Sequence, residues 1–156
     1  MAKRNSTSTA RGSSDLGQYS IAVLVPCYNE DATIAKVVKD FRKALPNASV
    51  FVFDNNSSDR TVEAARAAGA EVYREKRQGK GYVVRRMFTD IEADIYVLVD
   101  GDATYDAPSA ASMIDRLLKG RLDMVVGNRV DREEAAYRAG HRTGNWLLTS
   151  FVASVF

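Results

Sequence analysis

Asp100 and Asp102 stand on either side of one glycine in VLVDGDATYD, residues 97–106, directly after a run of apolar residues. Residues i and i+2 of an extended chain point to the same side, roughly 6.6 Å apart, so the two carboxylates can converge on one small object above a strand end. Like charges at that spacing call for a cation. An oxygen-only set with two carboxylates suits Mg2+ or Mn2+, which keep waters and take further ligands from a bound diphosphate. Such an ion offsets charge on a departing phosphate as a Lewis acid, without proton transfer. The alternative is a pair of solvated turn aspartates, with Asp106 capping a helix; alone, Asp-x-Asp is a common tripeptide.

Other residues able to do chemistry also follow apolar runs: PCYNE at 26–30, DNNSSD at 54–59, and GNR at 127–129. A lysine between two glycines, QGKG at 78–81, precedes another periodic segment, and Arg138, His141 and Arg142 follow Arg129 closely. Elements that could position them alternate along the chain. SIAVLVPC is a strand, and DATIAKVVKDFRKAL is a helix with Ile34, Val37, Val38, Phe41 and Leu45 on one face behind an Asp31 cap. ASVFVFD and DRTVEAARAAG form a second unit, with Gly69 where a helix C-terminal glycine belongs. AEVYRE is a third strand, followed by a helix from Gly81 to Glu92. DIYVLVD is the fourth strand, Pro108 sits near the start of the next helix, and LDMVVGNR is the fifth. Continuous apolar strands alternating with amphipathic helices imply an α/β fold: a mostly parallel sheet with helices on both faces, binding ligands beyond the carboxyl ends of its strands. The polar segments therefore gather at one edge, although βα loops are polar in any case.

Composition limits the partners. In 156 residues, 46% hydrophobic and 27% charged, there is room for one domain with a real core. Lys plus Arg number 22 against 20 for Asp plus Glu, a net +2 that gives no field suited to nucleic acid. The single cysteine, Cys27, reads as core packing in a reducing compartment. Residues 1–18 are polar and Ser/Thr-rich, a disordered tail before a domain at 19–156, and no stretch is apolar enough for a signal peptide or a membrane span.

VPCYNE, DNNSSDRT, QGKG, DGDATYD and VVGNR occur in this order, and together they resemble the family 2 inverting glycosyltransferases of the GT-A fold. The resemblance covers residues 20–142. It is nearest to the branch containing dolichol-phosphate mannosyltransferase and the bacterial polyprenyl-phosphate sugar transferases. It implies that the loop of Pro26, Tyr28 and Glu30 holds the nucleoside of a nucleoside-diphosphate sugar. Asp54 then reads the base edge, which leaves uracil and guanine both open, and Lys80 lies near the diphosphate. Asp100 and Asp102 match the family's metal motif, Asp102 as the direct ligand to Mg2+ or Mn2+. Arg129, Arg138, His141 and Arg142 match the region that grips a polyprenyl phosphate acceptor, dolichyl or undecaprenyl, which arginine's planar fork suits. Arg129 and Asp102 thus carry the catalytic expectation. A solvated helix of mixed charge is the plainer reading of the basic residues.

A lipid phosphate is already largely ionised at neutral pH and can attack the anomeric carbon without a general base, whereas a saccharide hydroxyl acceptor needs a carboxylate base. Such an enzyme would work at the cytoplasmic face of a membrane, in peripheral contact with it. The apolar residues from Trp146 to Phe156 suit a helix on the bilayer surface or a core helix lacking its partner, and the chain reads as C-terminally truncated. A dinucleotide-binding oxidoreductase would need Gly-x-Gly-x-x-Gly after the first strand, where PCYNEDAT stands. A nucleotidyltransferase would need a Gly-rich, basic loop there. A receiver-like domain with Asp54 as phospho-acceptor, or an inactive nucleotide-binding fragment, is the non-enzymatic alternative.

Overall fold

The computed structural model describes residues 16–128. Four parallel strands form one sheet in the order β3-β2-β1-β4, with β1 Ile21–Cys27, β2 Ser49–Asp54, β3 Glu71–Arg74 and β4 Ile95–Leu98. Helices α1 Ile34–Ala44, α2 Thr61–Ala67, α3 Lys80–Asp90 and α4 Ser109–Gly120 connect or follow them. All seven residues of β1 are buried, as a central strand covered on both faces must be.

Period-two alternation along β1 divides the core. Ile21, Val23 and Val25 pack on one face with Ile34, Val37, Val38 and Phe41 of α1, Ala65 of α2, and Ala110 and Ile114 of α4. Ala22 and Leu24 point the other way, against Phe53 of β2 and Val83 and Met87 of α3. Each fully buried aliphatic side chain contributes roughly 1.5–3 kcal/mol, so both layers are needed to hold the strand ends in line.

Several expectations hold. Gly69 follows α2 at φ +95°, its N–H reaching Arg66 O at 2.9 Å while Ala70 N reaches Ala65 O at 3.1 Å, the paired bonds of a Schellman ending. Pro108 immediately precedes α4. Others are corrected. The tail read over residues 1–18 gives way to a 3-10 turn at Leu16–Gln18, with residues 1–15 outside the described ones. Asp31 does not cap α1. Thr33 occupies that position without a side-chain cap, and the Asp31 N–H instead donates to Asp59 Oδ2 at 3.2 Å. The fifth strand is absent over 122–128, where Met124 and Val126 are 74% and 76% exposed. Strand propensity yields a strand only where a neighbouring ladder takes up the backbone groups, and β4 is paired with β1 alone among the described strands. One compact unit ends at Val125 and a second begins at Val126, of which residues 126–128 are described.

Candidate functional site

Parallel pairing brings the strand ends to one edge: Cys27 lies opposite Asp54, and Leu24 opposite Leu98. Pro26 is buried within β1, and Tyr28, just beyond the strand, is exposed. Asn29 turns the chain at φ +54°. Its N–H donates to Ser57 Oγ at 2.9 Å, and its Oδ1 accepts from Ser58 N at 2.8 Å. Glu30 N donates to Thr61 Oγ1 at 2.8 Å. The loops after β1 and β2 are thus tied together along their length. Thr61 also donates to Asp59, and this holds the Asp59 carboxyl below its ordinary range.

Asp54 closes β2 with its side chain 1% exposed. Oδ1 accepts from Ser57 N at 3.1 Å, whereas the buried Oδ2 has no hydrogen-bond partner and only Arg74 Nε at 3.8 Å. A buried carboxylate oxygen left in that condition is costly, which is the condition expected of an acceptor reserved for a ligand N–H. Next to it, Asn55 is 5% exposed and spends its whole amide on the loop ahead of α3. Nδ2 donates to Glu75 O and Arg77 O at 3.0 and 2.8 Å, and Oδ1 accepts from Gly79 N at 2.7 Å. Asn56, at φ +65°, adds a bond from Nδ2 to Lys76 O.

That clamp sets the position of Lys80, the first residue of α3 rather than a loop residue, following Gly79 at φ +130°. Lys80 Nζ donates to Asp100 Oδ1 at 2.5 Å, and Tyr105 Oη donates to Asp100 Oδ2 at 3.4 Å. The bond to Asp100 raises the Lys80 pKa, while burial and then Asp100 raise that of Tyr105. Asp100 and Asp102 do not succeed each other on an extended strand, as the spacing suggested. β4 stops at Leu98, the last ladder bond is Val99 N to Leu24 O, and the chain turns at Gly101 and Asp102 into Ala103 at φ +60°. Asp102 Oδ1 accepts from Thr104 N and Oγ1 at 3.0 and 2.7 Å, which closes the turn and leaves the residue exposed.

Glu30 joins the two ends of the site. A Cβ at Gly101 would lie 2.1 Å from Glu30 Oε2 and 2.8 Å from Cys27 Sγ, so only glycine lets the Asp100–Asp102 turn pass under that carboxylate. Oε2 is buried, and the Cys27 thiol is the hydrogen-bonding group beside this carboxylate. Burial raises the Glu30 pKa, and the charges of Asp102 and Asp100 add to the effect. Burial also pushes the Cys27 thiol far up, as suits a packed cysteine rather than a nucleophile. Thr33 pins the same turn from α1, its hydroxyl donating to Gly101 O at 2.7 Å.

The structure gathers Pro26, Tyr28, Glu30, Asp54, Lys80, Asp100 and Asp102 at one edge, together with Thr33, Asn55 and Tyr105, which the sequence reading did not single out. Asn55 and Tyr105 lie inside motifs quoted for other members, so only their three-dimensional partners distinguish them. Arg129, Arg138, His141 and Arg142 lie outside the described residues. Among the described residues no group of three or more His, Cys, Asp or Glu side chains is placed to hold a metal ion alone. A cation at Asp100 and Asp102 would therefore need oxygens from a bound ligand, which accords with an oxygen-only pair of a half-buried and an exposed carboxylate. No helix among the described residues is long and apolar enough to cross a membrane.

The parallel sheet, its flanking helices and its loaded carboxyl edge define a GT-A type of α/β fold. Glucosyl-3-phosphoglycerate synthase from Mycobacterium tuberculosis, solved with Mn2+, uridine-diphosphate-glucose and phosphoglyceric acid, shares this fold at a TM-score of 0.62 and 26% identity, over 76% of this chain and 46% of that one. The model of glycosyl transferase family 2 matches residues 22–153, and the chain belongs to that family. Protein RfbJ of Shigella flexneri is 56% identical over 125 residues, covering 80% of this chain and 97% of RfbJ. A dolichyl-phosphate hexose transferase of Haloferax volcanii is 30% identical over 125 residues, 80% of this chain and 54% of the transferase, so the chain spans nearly all of one relative and about half of the other.

Proposed function

We propose that this chain transfers a hexose, with inversion, from a nucleoside-diphosphate sugar to a polyprenyl phosphate, with residues 19–156 as its catalytic domain. The observation that carries the reading is that Asp54 keeps a buried carboxylate oxygen without a hydrogen-bond partner, at the edge where Glu30, Lys80, Asp100 and Asp102 gather. Pro26, Tyr28 and Glu30 flank the nucleoside, and Asp54 Oδ2 accepts from a ring N–H of uracil or guanine. Lys80 lies against the diphosphate. Asp100 and Asp102 hold Mg2+ or Mn2+, which when bound offsets the charge of the departing diphosphate. The neighbour solved with Mn2+ and uridine-diphosphate-glucose and the hexose-transferase relative support donor and acceptor classes respectively.

Arg129 and Arg138, with His141 and Arg142, grip the acceptor phosphate and aim one oxygen at the anomeric carbon. The bond from that carbon to the donor diphosphate breaks as the bond to the lipid phosphate forms, and no general base is needed because the phosphate is already ionised. Such an enzyme works peripherally, at the cytoplasmic face of a membrane. The test is to incubate the chain with UDP- and GDP-hexoses, Mn2+ or Mg2+, and detergent-dispersed polyprenyl phosphate. A glycosyl phospholipid with inverted linkage is expected. Transfer to a saccharide hydroxyl and not to the lipid would replace this acceptor with the alternative.

A further inference from the structure

The two aspartates of the turn are held differently. Asp102 is bonded by Thr104, a neutral partner, whereas Asp100 has an ammonium on one oxygen and a phenol on the other. Lys80 therefore already neutralises one of the two carboxylates beside which a divalent cation would lie. A 2+ ion at this pair of aspartates would face the ammonium at close range, and like charges so placed repel. The ion pair is solvent-exposed, with the lysine side chain 61% accessible, and pairs of that kind are weak enough to exchange. The backbone of Lys80 is fixed, since Asn55 bonds Gly79 and α3 begins at Lys80. Its flexible four-carbon stem can thus swing the ammonium about a fixed pivot.

On the basis of the nucleotide-sugar reading above, we propose that Lys80 is an exchangeable counter-ion: it neutralises Asp100 until a divalent cation arrives, then transfers to the donor's diphosphate. Metal and nucleotide consequently bind as a coupled pair. Metal alone must displace the lysine without providing it with a new anion. Nucleotide alone draws the lysine away and leaves Asp100, Asp102 and Glu30 uncompensated. Each ligand supplies what the other lacks, and the coupling must be reciprocal.

The test is Mn2+ binding, followed by electron paramagnetic resonance of the free ion, with and without UDP or GDP. The proteins are wild type, Lys80→Met and Lys80→Gln, with Arg77→Met as a control for general charge, because the Arg77 guanidinium lies over the Tyr82 ring and only the Arg77 backbone, which the substitution keeps, bonds Asn55 and Glu75. Both Lys80 variants are expected to bind Mn2+ alone about tenfold more tightly than wild type, and to lose about the same factor from the tightening that nucleotide produces, a size usual for coupled sites. Arg77→Met should match wild type. The exchange is overturned if the Lys80 variants bind Mn2+ alone no more tightly than wild type, or if Arg77→Met tightens it equally. Either result, with wild type still binding Mn2+ and nucleotide together, removes the exchange and leaves the functional reading standing; failure of wild type to bind them under any condition removes both.

Discussion

Gly101 separates two aspartates and lies beneath a third carboxylate, and its missing side chain is what lets all three share one small volume. Its φ is not positive, so an alanine there meets a steric limit rather than a backbone one. Gly101→Ala is expected to lose roughly 1–3 kcal/mol, the usual cost of overpacking, in urea unfolding. A loss below about 0.5 kcal/mol would mean that Glu30 swings aside freely. Glu30 itself gives a pH signature. Burial raises its pKa in the folded protein, so the native state holds this proton more tightly than the unfolded chain, and stability falls as pH rises through the interval between the two values. In metal-free buffer Glu30→Gln should melt above wild type at pH 7.5 and show no such advantage at pH 4; equal offsets at both would contradict the assignment. These residues stood out in the sequence because several polar segments follow apolar runs and must share one edge of a parallel sheet, although turn chemistry alone favours Asp and Gly at any one of them. Their mutual geometry was not. The i, i+2 argument placed Asp100 and Asp102 on an extended strand, and the Asx turn closed by Thr104 overrides it.

The elements position this chemistry through their loops. Asn55 links the end of β2 to the start of α3, and its removal leaves one N–H and two carbonyls without the amide that satisfied them. Asn55→Ala should cost about 2–3 kcal/mol by chemical denaturation, and weaken nucleotide binding by loosening Lys80; a cost under about 1 kcal/mol would show that solvent replaces the clamp. Thr33 plays the matching part between α1 and the turn that carries Asp100 and Asp102. Thr33→Val should reduce Mn2+ affinity severalfold while Thr33→Ser retains it, since only the hydroxyl reaches Gly101. This use of the hydroxyl also explains why α1 has no side-chain cap, which the reading of Asp31 as its cap could not anticipate. Alternation of strands and helices was readable because β1, β2 and β4 each hold a continuous apolar run, reduced to Val72 and Tyr73 in the short β3, and the longer helices repeat their apolar residues every three or four positions. The fifth strand failed for the complementary reason: LDMVVGNR has the composition of a strand, but pairing depends on a neighbour that composition does not specify.

At the scale of the molecule, one sheet with helices on both faces brings residues from 26 to 102 to a single edge, although the chain separates them by three crossovers. The chain belongs to glycosyl transferase family 2, and the proposed chemistry depends on that edge accepting a nucleoside diphosphate together with a divalent ion. A thermal melt of the purified chain with UDP and with GDP, each with and without Mn2+, on wild type and on Asp102→Ala, tests this most directly. A ligand at a hundredfold excess over its Kd stabilises the native state by roughly 2.7 kcal/mol, well within detection. The account predicts that one nucleotide raises the melting temperature of wild type only when Mn2+ is present, and that Asp102→Ala loses the response. A wild type that melts cooperatively yet is indifferent to both nucleotides, or an Asp102→Ala variant that responds as wild type does, would contradict it.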